Sequence, residues 1–186
     1  TVLCPAAHDG HWRLSAVSRP KNLETKIDLV DDVLKSIQAL AKRQVLVGVP
    51  SDTAGREDEN GPINNAAIGY ILETGAPERN LPARPFLVPT ILKIRGNLAK
   101  RAETTLKRVM SGKPGAQKEV ARGLGGIGLL AANAVKATIN AGDFAPLAAS
   151  TIYRRQNRKK APRSGEKPLI DTGQLRNSIT YVIRGK

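Results

Sequence analysis

Four groups of residues have the types and spacing to do chemistry. Asp171-Thr172-Gly173 follows two apolar residues, Leu169 and Ile170. This is the pattern of a carboxylate that cleaves peptides as half of a proton-sharing pair, the second carboxylate coming from the other half of a dimer. The next position is usually Ala or Ser in such enzymes and is Gln174 here. The preferred reading is structural. Pro168 starts a new element, Asp171 is a good N-cap, and Gln174 stands where it can reach back to close a capping box. One or two helical turns then put Leu175 and Ile179 on a buried face, and Tyr181 to Ile183 form a closing strand.

The other three groups are weighed in the same way. Cys4, His8, Asp9 and His11 lie close together, but structural zinc takes four firm ligands in paired motifs and no second pair exists. Gly123-Leu124-Gly125-Gly126-Ile127-Gly128 fits the dinucleotide fingerprint formally, yet that motif has meaning only between a strand and a helix. Here apolar residues run through it at helical spacing, from Val120 and Leu124 to Ile127, Ala131, Val135 and Ile139. We expect a buried helix whose glycines permit close packing. The fourth group is a basic run between Thr151 and Pro168, in which Arg154, Arg155, Arg158, Lys159, Lys160, Arg163 and Lys167 face one acid, Glu166. A loop so long and charged does more than connect elements; contact with DNA phosphates or with an acidic partner surface is expected of it. The sequence thus points to no catalytic, cofactor or metal residue.

Composition sets the partners. The 186 residues suit one domain, and they carry 30 Lys and Arg against 16 Asp and Glu, a net charge of +14. The excess is unevenly placed: residues 44–89 are acidic, whereas 90–141 hold ten cations and two acids, and 142–186 ten and three. An acidic partner follows, either nucleic acid or a protein surface. With 3% aromatic residues the chain is poor in platforms for stacking single-stranded bases. One cysteine excludes an internal disulfide and suits a reducing compartment. No apolar run reaches the ~18 residues of a membrane helix, and no leader of secretory type opens the sequence, so a soluble protein made in the cytoplasm is expected.

Elements must position these groups. Residues 1–23 read as an extended arm that a neighbouring subunit would hold, and 24–186 as one α+β domain. Thr25 to Lys42 is an amphipathic helix, with Ile27, Val30, Val33, Leu34, Ile37, Leu40 and Ala41 on its apolar face. Gln44 to Val49 is a strand stopped by Pro50. The acidic loop that follows holds Glu57, Asp58 and Glu59, candidates for an inter-subunit contact. Asn64 or Asn65 caps a short helix to Leu72, with Gly75 as terminator. Pro82, Pro85 and Pro89 force extended chain, read as a strand around 84–88. There Arg84 is a candidate for pairing across an interface, with Phe86 and Leu87 as core plugs. Thr90 to Met110 is a long helix with Ile91, Ile94, Leu98, Ala102, Leu106 and Val109 inward. A helix from Gln117 to Ala141 follows, then the basic loop over 142–167. The expected fold is therefore a small, mostly antiparallel sheet (44–49, about 84–88, 180–184) on three or four helices.

Three stretches resemble one known family. They are Tyr70-Ile71-Leu72-Glu73-Thr74-Gly75, Pro82-Ala83-Arg84-Pro85-Phe86-Leu87, and Pro168-Leu169-Ile170-Asp171-Thr172-Gly173 with Leu175, Ser178 and Ile179; a helix followed by Val45-Leu46-Val47-Gly48-Val49-Pro50 adds to them. Their order and spacing are similar to those of the tail-completion or neck proteins of long-tailed bacteriophages, over roughly residues 25–183. The long arm and basic loop depart from that pattern. The resemblance implies a non-enzymatic virion protein, made in the host cytoplasm, that forms a ring of six or twelve copies at the head–tail junction. Its partners would be the connector or head-completion ring, the tail terminator, and phage DNA passing non-specifically through the lumen. A free basic nucleic-acid-binding protein is the alternative.

Overall fold

The computed structural model describes residues 21–52, 54–55, 63–111, 115–159 and 162–185, with the side chains of 21–29 and 32 excepted. Residues 1–20 of the expected arm, with Cys4, His8, Asp9 and His11, the acidic residues Glu57, Asp58 and Glu59, and Lys160 lie outside the described residues, while 21–23, expected in the arm, open the first helix. Among these residues the chain runs α1 (Lys21–Ala41), β1 (Arg43–Gly48), α2 (Asn65–Thr74), a 3₁₀ turn (Pro77–Arg79), α3 (Val88–Met110), α4 (Ala116–Ala141), α5 (Ala149–Gln156), α6 (Gln174–Ser178) and β2 (Thr180–Gly185). This is an α+β fold, a small antiparallel sheet against helices.

Helix α4 is the axis. It packs against α3 along their lengths and also touches α1, both strands and α6. Its Val120, Leu124, Ala131, Ala132, Val135 and Ile139 are buried at the expected helical spacing. Burying each of the larger ones contributes about 1.5–3 kcal/mol. The glycine run is continuous helix, as its periodicity implied. A Cβ at Gly123 would overlap the side chain of Thr105 on α3, and one at Gly128 would overlap the ring of Tyr181 on β2. Those two glycines let helix and strand close on α4. Gly142 ends the helix with a left-handed φ of 79°.

Strands β1 and β2 pair antiparallel, Val45 opposite Ile183 and Val47 opposite Tyr181. The expected third strand at 84–88 does not form. Three prolines remove backbone donors there, and the amides of Phe86, Leu87 and Val88 are taken by the Glu73 carboxylate at 2.8–2.9 Å. Nothing is left to build a ladder with. Phe86 still fills the core as expected, beside Val135, Ile139, Leu169 and Ile179. A second cluster joins Val109, Val120 and Leu124 to Leu40, Val45 and Ile183.

Helix α2 starts as read: Asn64 Oδ1 accepts from the Ala67 amide at 2.9 Å, and Gly75 ends it at φ 76°. Two amphipathic faces turn out only partly covered. On α1, Val30 and Leu34 are 55% and 51% exposed, and on α3 Leu106 is half out of the core while Thr105 and Val109 are buried. The apolar stripes of these helices are wider than the surface that one copy of the chain offers them.

Candidate functional site

The three motif stretches meet on one side of α4. Glu73, at the end of α2, binds the three amides that open α3, so the acid of one motif caps a helix that follows the next. Gly75 makes this approach possible, because a Cβ there would lie 2.8 Å from the Ala83 nitrogen. The Arg84 amide donates to the Leu72 carbonyl at 2.7 Å. From the third motif, Leu175 reaches Gly69 on α2, while Leu169 and Ile179 enter the cluster around Phe86.

Arg84 is inside the protein, 4% exposed, where its Nε and Nη2 donate to the carbonyls of Ala145 and Pro146 at 2.8 Å. A guanidinium suits this work, since its planar fork meets two acceptors at once. It fastens the chain leaving α4.

The basic stretch behaves likewise. It is not a bare loop, because α5 forms within it and carries Arg154 and Arg155. Arg155 is buried, and its Nη1 lies 3.1 Å from the carbonyls of Gly165, Lys167 and Ile170. Arg158 Nη2 meets Asp171 Oδ2 at 2.8 Å, and Arg163 Nη1 donates to the Asp171 carbonyl at 2.6 Å. Lys167 Nζ donates to the Asn140 carbonyl at 3.0 Å. Of the cations singled out for a partner, Arg155, Arg158 and Arg163 are thus turned onto the chain's own signature. Arg154, Lys159 and, despite its ion pair, Arg158 are exposed.

Asp171 is the centre of that cluster and not a cap. The N-cap of α6 is Gly173 at φ 80°, and the Gln174 amide is 3.3 Å from Thr172 Oγ1, so the expected capping box is not made. The reason is competition: Arg158 engages the Asp171 carboxylate, with Arg155 Nε 3.9 Å from its other oxygen, while Arg163 holds the Asp171 backbone carbonyl, and charge-assisted bonds are the stronger ones. Leu175 and Ile179 are buried as expected.

Two hollows flank Arg155. One, of about 760 Å³, lies between Arg79–Pro82, Pro146–Thr151 and Leu169–Leu175; the other, of about 400 Å³, lies beside Pro162–Lys167. Asp171 borders both, and it is the one carboxylate among the described residues lining the larger. The groups facing it are guanidinium groups, so it has no carboxylate partner there with which to share a proton. Buried in this region without a hydrogen-bond partner among the described residues are Asp171 Oδ1, Gln174 Oε1 and Arg163 Nε. No cluster of three His, Cys, Asp or Glu able to hold a metal occurs among the described residues, and no helix there is long and apolar enough to cross a membrane.

Glu73 as an amide clamp was missed at the sequence level. The signal was its fixed place in the first motif, four residues before the Pro77 that starts the next turn only after Gly75 reverses the chain.

Comparison with known proteins adds little. No family model matches the chain, and no solved structure matches it. A stretch of 47 residues is 36% identical to the uncharacterized protein MJ0331 of Methanocaldococcus jannaschii, covering 25% of this chain and 35% of that one. The similarity therefore spans about a third of that protein's length, and its name assigns it no activity.

Proposed function

We propose that the chain is a structural subunit of a bacteriophage head–tail junction, forming a ring that joins the head connector to the tail terminator around the DNA channel. One observation carries this reading: the three stretches that resemble the neck-protein family interlock. Glu73 holds the chain at Phe86–Val88, Leu175 lies against Gly69, and Leu169 and Ile179 pack with Phe86. Segments that separately resemble one family, and that also depend on one another physically, support the resemblance as a whole better than three isolated likenesses would. Their polar chemistry goes into holding backbone in place, which is what a framework subunit needs.

The test is assembly in the phage that encodes the chain. Removing it should leave filled heads beside finished, unattached tails, and supplying it in trans should restore joined particles. Normal particles without the chain would end this reading.

The net charge of +14 favours a second one, a free nucleic-acid-binding protein. Such a protein binds duplex DNA as a monomer or dimer with affinity falling steeply as salt rises. Light scattering at low salt, with and without DNA, separates it from a ring former.

A further inference from the structure

We infer that α3 of one copy receives α1 of the next, in a head-to-tail contact between subunits. The inference rests on the ring reading above and names the surfaces that would build it.

Helix α3 carries an apolar stripe that its own chain leaves open. Leu92 and Met110 are 59% and 58% exposed, Val88 is 55% exposed, and Leu106 joins them. Leu92 and Leu106 stand fourteen residues apart with the small, exposed Ala99 midway, so the stripe keeps a seven-residue repeat. Val88 and Met110 extend it at four-residue steps. Over the whole helix it is about 33 Å long, at 1.5 Å per residue. A repeat of this kind is what a partner helix follows. Buried Thr90, Thr105 and Val109 lie on a different side of α3, against α4.

Charge decides the occupant. Beside the stripe, one position on from Leu92, Ala99 and Leu106, stand Lys93, Lys100 and Lys107, a second row with the same repeat. Lys107 pairs with Glu103 of its own helix at 2.6 Å, and α3 carries six cations against that single acid. An antiparallel pairing of two α3 helices would set lysine row against lysine row, which is unfavourable. Helix α1 fits instead. Its Val30 and Leu34, four apart, are both more than half exposed, with the exposed Asp31 beside the first and the exposed Lys35 beside the second, so that Asp31 is the acid that meets the lysine row. In sequence α1 holds four acids against three lysines, the opposite balance to α3.

Both halves of the contact are present on every chain and use different surfaces. The contact is therefore heterologous, and repetition closes a ring when the rotation permits and gives a filament when it does not. The two stripes left open in one copy have the same explanation.

The test uses the full chain in sedimentation velocity at low and moderate salt. The wild type should sediment as a closed oligomer. Leu92→Glu, the pair Lys93→Glu with Lys100→Glu, and Asp31→Lys should each reduce it to monomers that stay folded by circular dichroism. Combining Asp31→Lys with the Lys93→Glu and Lys100→Glu pair in one chain should restore assembly, which a merely damaged fold would not do. An oligomer that survives Leu92→Glu and both charge reversals overturns the inference while leaving the ring standing on another interface. A wild-type chain that stays monomeric overturns it too, and the ring is then judged by imaging the particle. If the lysine reversal leaves sedimentation unchanged but abolishes retention of duplex DNA, α3 is a nucleic-acid face and the inference falls. Filaments in place of closed rings would keep the contact and sink the ring.

Discussion

The cations around Asp171 and the cations along α3 have the same sign and opposite uses. Arg84 and Arg155 are buried and donate to backbone carbonyls, Arg163 donates to the Asp171 carbonyl, and the more exposed Arg158 meets the Asp171 carboxylate, so that these arginines are engaged within the chain. Lys93 and Lys100 stand exposed in a row on the outside of a helix. The side chains differ as the uses do. A guanidinium presents a rigid fork to several acceptors and tolerates burial, whereas an ammonium on a flexible stem stays hydrated. A count of positive charge merges these two populations, and the buried Arg84 and Arg155 in the first are closed to a partner.

The sharpest way to break this contrast is Arg155→Ala. It would leave the carbonyls of Gly165, Lys167 and Ile170 without their shared donor in a buried place. The expected cost is about 3 kcal/mol. Thermal unfolding should then fall by roughly 6–12 °C for a chain of this size. Arg155→Lys should recover less than half of the loss, because one ammonium cannot reproduce the fork. An Arg155→Ala protein as stable as wild type would mean that the basic stretch is a loop after all.

Helix and strand positions were legible because they rest on periodicity and on local stop signals. The apolar spacing from Val120 to Ile139, the Asn64 cap, and Gly75 and Gly142 as terminators act within a turn or two of chain. What was not legible depends on partners distant in sequence. The stretch at 84–88 looked like a strand because its prolines dictate extended backbone, but pairing needs free amides, and Glu73 had taken them. Asp171 had the right neighbours for a cap, and the guanidinium groups that face its carboxylate, Arg158 and Arg155, lie 13 and 16 residues away. The hydropathy of 151–167 hid α5, which is tied down by its own Arg155 reaching the distant carbonyls of Gly165, Lys167 and Ile170. Of the candidate interface residues, Arg154, Arg158 and Lys159 are exposed.

Glu73 gives the next largest effect and sharpens the same point from the acidic side. Glu73→Ala frees three amides at the start of α3 and should cost about 2 kcal/mol, at the upper end for loss of a cap. Glu73→Gln divides the site. The oxygen that serves Phe86 and Leu87 can be kept, but an amide NH₂ then faces the Val88 amide, donor against donor. About 1 kcal/mol is expected, read from denaturant midpoints at unchanged m-value. Equal losses for Ala and Gln would show that charge matters here and geometry does not.

Asp171→Asn comes third. The substitution keeps one acceptor and removes the charge that Arg158 meets. Both side chains are about a third or more exposed, so solvent screens the pair and a loss of about 0.5–1 kcal/mol follows. A cleavage activity that vanished with this substitution would instead revive the catalytic reading of the triplet.

The smallest effect on stability belongs to the outer row, and its smallness is the informative part. Lys93→Ala combined with Lys100→Ala removes two exposed side chains from a helix that favours alanine slightly over lysine. Among the described residues, neither lysine has an ion pair to lose, unlike Lys107 with Glu103. The folded chain should therefore change by no more than ~0.5 kcal/mol, and its unfolding midpoint should move by about a degree or two in either direction. The same double substitution removes charge that a partner would meet, so its effect should appear in association and in the salt dependence of association, and not in unfolding of the isolated chain. If the pair instead destabilises the monomer by as much as Arg155→Ala, these lysines are structural too. The division between inward arginines and outward lysines would then fail at the place where it is most easily measured.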